Sequence, residues 1–372
     1  MSVKCQVIIE ALERLAPRRL AEDWDQVGLQ IGSPAQDING ILVTLDLTEA
    51  VLEEAKEKGA NLIVCHHPLI FKPVAQIRTD LPQGRLLTCL LKEEIAVYVA
   101  HTNLDIAAGG VNDVLAQRLG LKEVKGLSVT GREKLLKIVV FVPKTHEEKV
   151  AEAMTKAGAG HIGNYSCCTF RAAGVGSFLA HEGAKPYIGR PGKMEEVEEI
   201  RLETIMPESI SRRVVRAMLA VHPYEEVAYD LYSLENEGQA YALGRIGSLP
   251  EAMEMEQFLS SVKTALQVNR LRFAGGQNGK MIRKVAVCGG SGASLIGKAA
   301  FAGADAFITG DVKYHEAQSA EAAGILVVDA GHFVTEWPVV ASLSDYLTDF
   351  ARQAKWRLEV TAGKQKDVFD WI

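Results

Sequence analysis

The sequence predicts an α/β protein whose core domain is split, a mostly parallel set of strands flanked by helices and interrupted by an α+β insertion of ferredoxin-like plan. Three observations carry this. Short apolar runs alternate with helical patterns in both outer parts of the chain, the signature of parallel βαβ units. The middle part repeats the order strand, proline-led helix and His-headed strand at a separation of about 64 residues. A length of 372 residues exceeds what one core usually holds, so two domains are expected. The expected boundaries are residues 1–130 for the first half of the core, 131–237 for the insertion and 238–372 for the second half.

Composition narrows the function. Hydrophobic residues make up 48% and charged residues 24%, as in ordinary soluble domains. The formal net charge of -6, with Lys and Arg interspersed among Asp and Glu, argues against a nucleic-acid binder, which needs clustered cations. No apolar run approaches ~18 residues, so no membrane span is expected. The first fifteen residues read as an amphipathic helix and not a signal peptide, which predicts a cytoplasmic protein. Six cysteines without a C-x-x-C pair read as reduced, and the adjacent Cys167 and Cys168 would face opposite ways on a strand.

Taken in order, the segment Glu22 to Gly32 is compact and glycine-bearing. Gly40 to Asp46 is a buried strand ending in a carboxylate, and Thr48 caps a helix that stops at Lys58-Gly59. Asn61 to Phe71 follows, where the buried run Leu62 to Cys65 ends abruptly in His66-His67-Pro68. Neighbouring side chains of a strand point to opposite sides, so two histidines splayed from a proline turn can serve two different metal ions. A helix over 84–94 leads to the strand Ala96 to Ala100 and then to His101-Thr102-Asn103-Leu104-Asp105. Another helix spans 111–119. In parallel sheets the carboxyl ends of the strands share one edge, where ligands collect. That edge would gather Asp46, His66, His67, His101 and Asp105.

In the middle part, strands are expected at 134–142, 161–170 and 201–206, with helices opening at Pro143 and Pro207 and a further strand headed by His222. Beyond Tyr241 come a helix over 255–266 and the strand Lys284 to Cys288. The turn Gly289-Gly290-Ser291-Gly292 opens a helix over 293–302. The strand Asp305 to Thr309 runs into Gly310-Asp311, with His315 at the start of the next helix. The strand Ile325 to Asp329 runs into Gly331-His332, and Glu336 lies one helical turn beyond His332, on the same face.

Five of nine histidines thus fall at strand ends of the split domain. So many nitrogen and carboxylate donors exceed what one tetrahedral ion needs. Two ions ~3.5–4 Å apart, bridged by Glu336 or Asp105, would use them and hold a hydroxide at neutral pH. Imidazole with carboxylate suits zinc, iron, manganese or nickel.

The combination of Trp24-Asp25-x-Val27-Gly28-Leu29, Cys65-His66-His67-Pro68-Leu69-Ile70-Phe71, Ala100-His101-Thr102-Asn103-Leu104-Asp105, Thr309-Gly310-Asp311 with His315, and Gly331-His332 with Glu336 resembles the NIF-three-like family, also labelled GTP cyclohydrolase 1 type 2 homologue. The resemblance covers essentially the whole chain, including His222-Pro223-Tyr224-Glu225-Glu226. It implies a two-metal centre with ligands His66, His67, Asp105, His332 and Glu336. It also implies a toroidal homohexamer whose metal sites face an internal cavity. The label implies a hydrolytic reaction, opening of the guanine imidazole ring by metal-bound hydroxide with loss of formate. In this reading His101 and His315 transfer protons or orient ligands, while Asp46 and Asp311 orient ligands or substrate. Gln26 stands where the family usually has Asn.

Two rival readings remain on the residues alone. Ser291 on its glycine turn, with Asp329 and His332 downstream, resembles a nucleophile elbow, although Ala293 stands at the usual second Gly; the same turn could bind phosphate or be only a tight connection. A metal-loaded oligomer could also act as a regulatory or binding protein without catalysis.

Overall fold

The run Leu62–Cys65 occupies the centre of a five-stranded sheet, and its position explains why it carries no polar residue. All four side chains are fully buried. Leu62 and Val64 pack on one face against Ile8, Leu12, Val340 and Leu343. Ile63 and Cys65 pack on the other against Val51, Leu52, Leu86 and Leu90. Each such burial contributes about 1.5–3 kcal/mol, so a strand covered on both faces must be apolar throughout.

The computed structural model describes residues 3–276 and 279–370. Residues 1–130 together with 241–372 form one compact unit, and residues 131–240 form a second. In the first unit the sheet order is Glu359–Ala362, Gly40–Thr44, Leu62–Cys65, Ala96–Val99 and Gly28–Ile31. The first four run parallel and Gly28–Ile31 is antiparallel. Residues from the far end of the chain therefore complete the sheet begun by the first half. Thr48 caps the helix Glu49–Glu57 as its sequence predicts, its hydroxyl accepting from Val51 N at 3.3 Å.

A second sheet of this unit has the parallel core Ile282–Val287, Ala306–Thr309 and Leu326–Asp329. Antiparallel strands flank it, Arg272–Ala274 on one side and Ala240–Met253 on the other, with Lys122–Arg132 beyond. Phe258, Leu259 and Val262 cover one face, and Ile296, Ala299 and Ala320 the other. Parallel strands sandwiched between helices are the expected α/β architecture.

The second unit is one antiparallel sheet in the order Tyr229–Leu234, Leu135–Pro143, Met194–Pro207 and Phe170–Leu179, with helices Glu147–Lys156 and Ser211–Leu219 on one face. That order and alternation is ferredoxin-like. Both halves of the internal repeat end a strand in proline and pass through a single 3₁₀ turn into a helix. The backbone of Glu133 donates to Gln239 O at 2.9 Å, which keeps the returning chain with this unit to Ala240 instead of 237.

Some elements differ from expectation. The segment 161–170 is not a strand: it turns on the Ile162–Tyr165 bridge, and Cys167 sits at φ 57°, outside extended backbone. The strand instead runs Phe170–Leu179, through glycines that suggested a loop, because it is an exposed edge ribbon paired to Met194–Pro207. Gly28–Ile31 is a strand within the segment read only as compact. No helix among the described residues is long and apolar enough to cross a membrane.

Candidate metal centre

Four imidazoles and two carboxylates from the ends of both sheets meet in one place. The backbone amides of His66 and His67 donate to Leu45 O at 3.1 and 2.9 Å, which bends the chain out of the strand and splays the two rings. Their ring centroids lie 5.0 Å apart. His101 lies 5.2 Å from the His66 ring and 5.7 Å from the His67 ring. His332 arrives from the second sheet, 5.2 Å from His67. Asp105 follows in the short helix Thr102–Ile106, and Glu336 in the helix His332–Glu336.

Every one of the four rings is held by Nδ1. His66 Nδ1 lies 2.7 Å from Ala100 O, His67 Nδ1 2.8 Å from Asp46, His101 Nδ1 3.0 Å from Asp25 and His332 Nδ1 2.7 Å from Asp311. An acceptor at Nδ1 selects the tautomer with its proton there and leaves the Nε2 lone pair free. Asp46 and Asp311 thus each hydrogen-bond a histidine ring. Asp46 is itself steadied by the Gln365 side-chain amide at 2.9 Å.

The Nε2 atoms converge on Glu336 and Asp105. His67 Nε2 and His332 Nε2 lie 3.0 and 3.1 Å from Glu336 Oε2, and His66 Nε2 lies 3.7 Å from its Oε1 and 3.6 Å from Asp105 Oδ1. Three sets of donors lie within 4.8 Å of one another: His66 with His67 and His101, His67 with His332 and Glu336, and His66 with Asp105 and Glu336. Glu336 belongs to two of these sets.

These residues fit metal ions. His66 Nε2 and Asp105 Oδ1 are buried with no hydrogen-bond partner among the described residues, a costly arrangement for two polar atoms that face each other. Ligands at bonds of ~2.0–2.1 Å and a tetrahedral angle stand about 3.3 Å apart. The observed separations of 3.0 to 3.7 Å bracket that value. Among the described residues Asp105 and Glu336 form ion pairs only with histidines, so no Lys or Arg neutralises them.

The electrostatics carry the same demand for positive charge. Burial works against a charged His67, yet hydrogen bonds to Asp46 and Glu336 push its pKa up to about 10. The hydrogen bond to Glu336 pushes His332 up to about 9. Burial raises Asp105, whereas at Glu336 the surrounding histidines overcome burial and hold the carboxyl well below its usual range. Burial likewise acts to raise Asp25, but the hydrogen bonds from His101 and Thr102 bring it down to about 2.

The glycine turn serves this cage and not a nucleophile. A Cβ on Gly290 would stand 2.1 Å from Glu336 Oε1, and one on Gly310 2.6 Å from His332 N. Asp329 accepts from Val312 N and Gly331 N and pairs with Arg272, while His332 bonds Asp311 and Glu336, so no Ser291 triad is assembled. The amides of Gly289, Gly290 and Gly292 are spent on Asn112, Thr335 and Thr309, which leaves no phosphate nest of those three.

His315 is not brought to the cluster in this chain. It is exposed on the helix Tyr314–Ala322, its ring bonded to Gln318 and stacked edge-on against Tyr314. Its position near a strand end misled because the helix carries it outward. Asp25, within the Trp24 motif, holds the His101 ring. The sequence offers no pairing between Asp25 and His101, which lie far apart along the chain and meet only through the antiparallel edge strand. All six cysteines are free, and Cys65 and Cys288 are buried with burial pushing their thiols up.

Known proteins match nearly the whole chain. The chain is 46% identical over 368 residues to a protein of Halalkalibacterium halodurans called GTP cyclohydrolase 1 type 2 homolog, covering 99% of this chain and 98% of that one. It is 48% identical over 332 residues to the Bacillus subtilis protein of the same name, covering 89% of each. A solved Bacillus cereus structure, described as a protein related to NIF3, superimposes with a TM-score of 0.94 at 44% identity over 100% of both chains. The family model described as Duf34/NIF3 (NGG1p interacting factor 3) matches residues 3–367, and the chain belongs to that family.

Proposed function

We propose that His66, His67, Asp105, His332 and Glu336 would hold two divalent cations, Glu336 standing in two of the donor sets, and that the protein is a metal-dependent hydrolase acting on a guanine-type nucleotide. The observation that carries this is the set of Nε2 atoms, each fixed from behind at Nδ1 and aimed at two buried carboxylates that, among the described residues, pair with no Lys or Arg. Two such ions supply Lewis acidity and make water nucleophilic near neutral pH. The donor set suits zinc, iron, manganese or nickel. The name shared by the relatives supports opening of the guanine imidazole ring with release of formate.

The protein's own groups have distinct tasks in this reading. Asp46 and Asp311 orient His67 and His332 and strengthen them as donors. His101 has its Nδ1 on Asp25, whose carboxylate also takes the Thr102 amide at 3.0 Å. Asp25 therefore remains ionised and fixes the His101 ring from behind, which leaves Nε2 beside the cage for proton transfer. The family resemblance further supports a toroidal homohexamer, about 240 kDa for a chain of 40.4 kDa.

Metal content by mass spectrometry, joined to an assay for formate from GTP, tests the reading. Wild type should carry close to two ions per chain, and His67→Ala one or none. Two ions per chain with no hydrolysis of GTP or of a nucleotide and phosphoester panel would replace catalysis with a binding or regulatory role. Wild type without metal would end the reading altogether.

A further inference from the structure

Trp24 and Phe71 are large aromatic residues left open to solvent, at 55% and 49% exposure, beside the donor cluster. Their rings touch at a centroid distance of 5.8 Å and a tilt of 57°. Trp24 also meets His101 edge-on at 6.0 Å, so an unbroken series of ring contacts runs from Phe71 through Trp24 and His101 to His66 and His67.

The residue next to each ring is anchored by hydrogen bonds. Asp25, next to Trp24, is locked by His101 Nδ1 and Thr102 N, both at 3.0 Å. Ile70, next to Phe71, gives its amide to Gln30 Oε1 at 2.8 Å and receives Gln30 Nε2 on its carbonyl at 3.0 Å. Two exposed aromatic faces, each next to a hydrogen-bonded residue, stand at the edge of a polar cage and form an apolar surface.

We propose that Trp24 and Phe71 form an aromatic shelf on which the flat heteroaromatic ring of the ligand, a purine or a ring of comparable shape, lies against the cage. Stacking on an open aromatic face is the ordinary way to hold such a ring without a deep pocket. The two rings are too close to admit a third between them, since a sandwich needs centroids about 7 Å apart, two contacts of ~3.5 Å. The ligand ring therefore lies on their outer faces, with its reacting edge toward His101 and the donor cluster. The proposal deepens the hydrolase reading and rests on it for the direction in which the ring points, but not for the stacking itself.

The test is calorimetric titration of the full chain with guanosine 5′-monophosphate and, in parallel, ribose 5-phosphate, which has the phosphate and sugar without the ring. Both titrations are run on metal-loaded and on chelated protein, with molecular mass in solution measured alongside. Guanosine 5′-monophosphate should bind at least about tenfold more tightly than ribose 5-phosphate, in chelated protein as well as loaded. Trp24→Leu and Phe71→Leu keep apolar bulk and remove the π face. Each should weaken the nucleotide about tenfold and leave ribose 5-phosphate and metal content unchanged, while Trp24→Phe restores part of the loss.

Equal binding of the two probes, unchanged nucleotide affinity in both leucine variants, or no nucleotide binding to wild type would each overturn the shelf. A fall in molecular mass of Trp24→Leu with nucleotide affinity intact would assign these rings to a second copy of the chain and overturn it too. Absence of metal from wild type sinks the hydrolase reading alone, because the contrast between the probes in chelated protein still reports on the shelf.

Discussion

Asp46 Oδ1 lies 2.8 Å from His67 Nδ1, on the opposite side of the ring from the nitrogen that meets Glu336 at 3.0 Å. A carboxylate behind a ligand histidine fixes its tautomer and raises its basicity, and losing it typically costs 10–100-fold in metal affinity. Asp46→Asn keeps the shape, and its amide can present nitrogen to the ring. Metal affinity should fall by about that factor, read by competition with a chelator of known strength. Affinity equal to wild type would mean that His67 is not a ligand or that Asp46 does nothing for it.

Gly290 is required by contact and by backbone. Its φ of 62° lies in the left-handed region, and an added Cβ would meet Glu336 Oε1 at 2.1 Å. Gly290→Ala should displace the carboxylate shared by two donor sets, with loss of at least one ion per chain. Strain of roughly 1–3 kcal/mol should lower thermal stability as well. A variant with full metal content and unchanged melting temperature contradicts this placement of Glu336.

Much of this site is legible in the sequence because it is encoded locally. The apolar runs ending in His66-His67, His101 and Asp329 announce buried parallel strands, and the polar residues after them sit at the carboxyl ends of those strands. His332 and Glu336 announce a shared helix face. What the letters hide is pairing between segments. Asp25 reaches His101 only because Gly28–Ile31 lies antiparallel to Ala96–Val99. Gln365 reaches Asp46 only because Glu359–Ala362 runs beside Gly40–Thr44. His315 follows a strand like the others, but its helix turns it to solvent.

His101 and His315 should therefore separate under substitution. The donor nitrogen of His101 lies within 4.8 Å of those of His66 and His67, while the hydrogen bonds and ring contact of His315 among the described residues stay within its own helix. His101→Ala should lower turnover at least about 100-fold, the usual scale for a positioned proton carrier. His315→Ala should stay within about twofold in turnover and keep full metal content. Comparable losses in both variants would place His315 at the site in the working assembly and contradict the reading of its helix as a bystander.

Proton competition sets the pH dependence of metal uptake. His67 and His332 have pKa values of about 10 and about 9 in the folded, metal-free protein, above the ordinary histidine value of 6.5. A raised folded pKa means that the protonated ring stabilises the metal-free fold. That contribution is complete below about pH 6.5 and is lost as pH rises through 9 to 10. An ion must displace both protons, because the lone pairs it needs are the ones the protons occupy. Between pH 6 and 8 both rings remain cationic without metal, so uptake should release about two protons per chain from this pair. The apparent affinity should then rise about 100-fold per pH unit when both protons leave with one ion, since each proton contributes a factor of ten. Chelator competition across that range measures the slope, and calorimetry in buffers of different protonation enthalpy counts the protons. A flat profile would show that His67 and His332 are already neutral in the metal-free protein and that Glu336 satisfies its charge in another way.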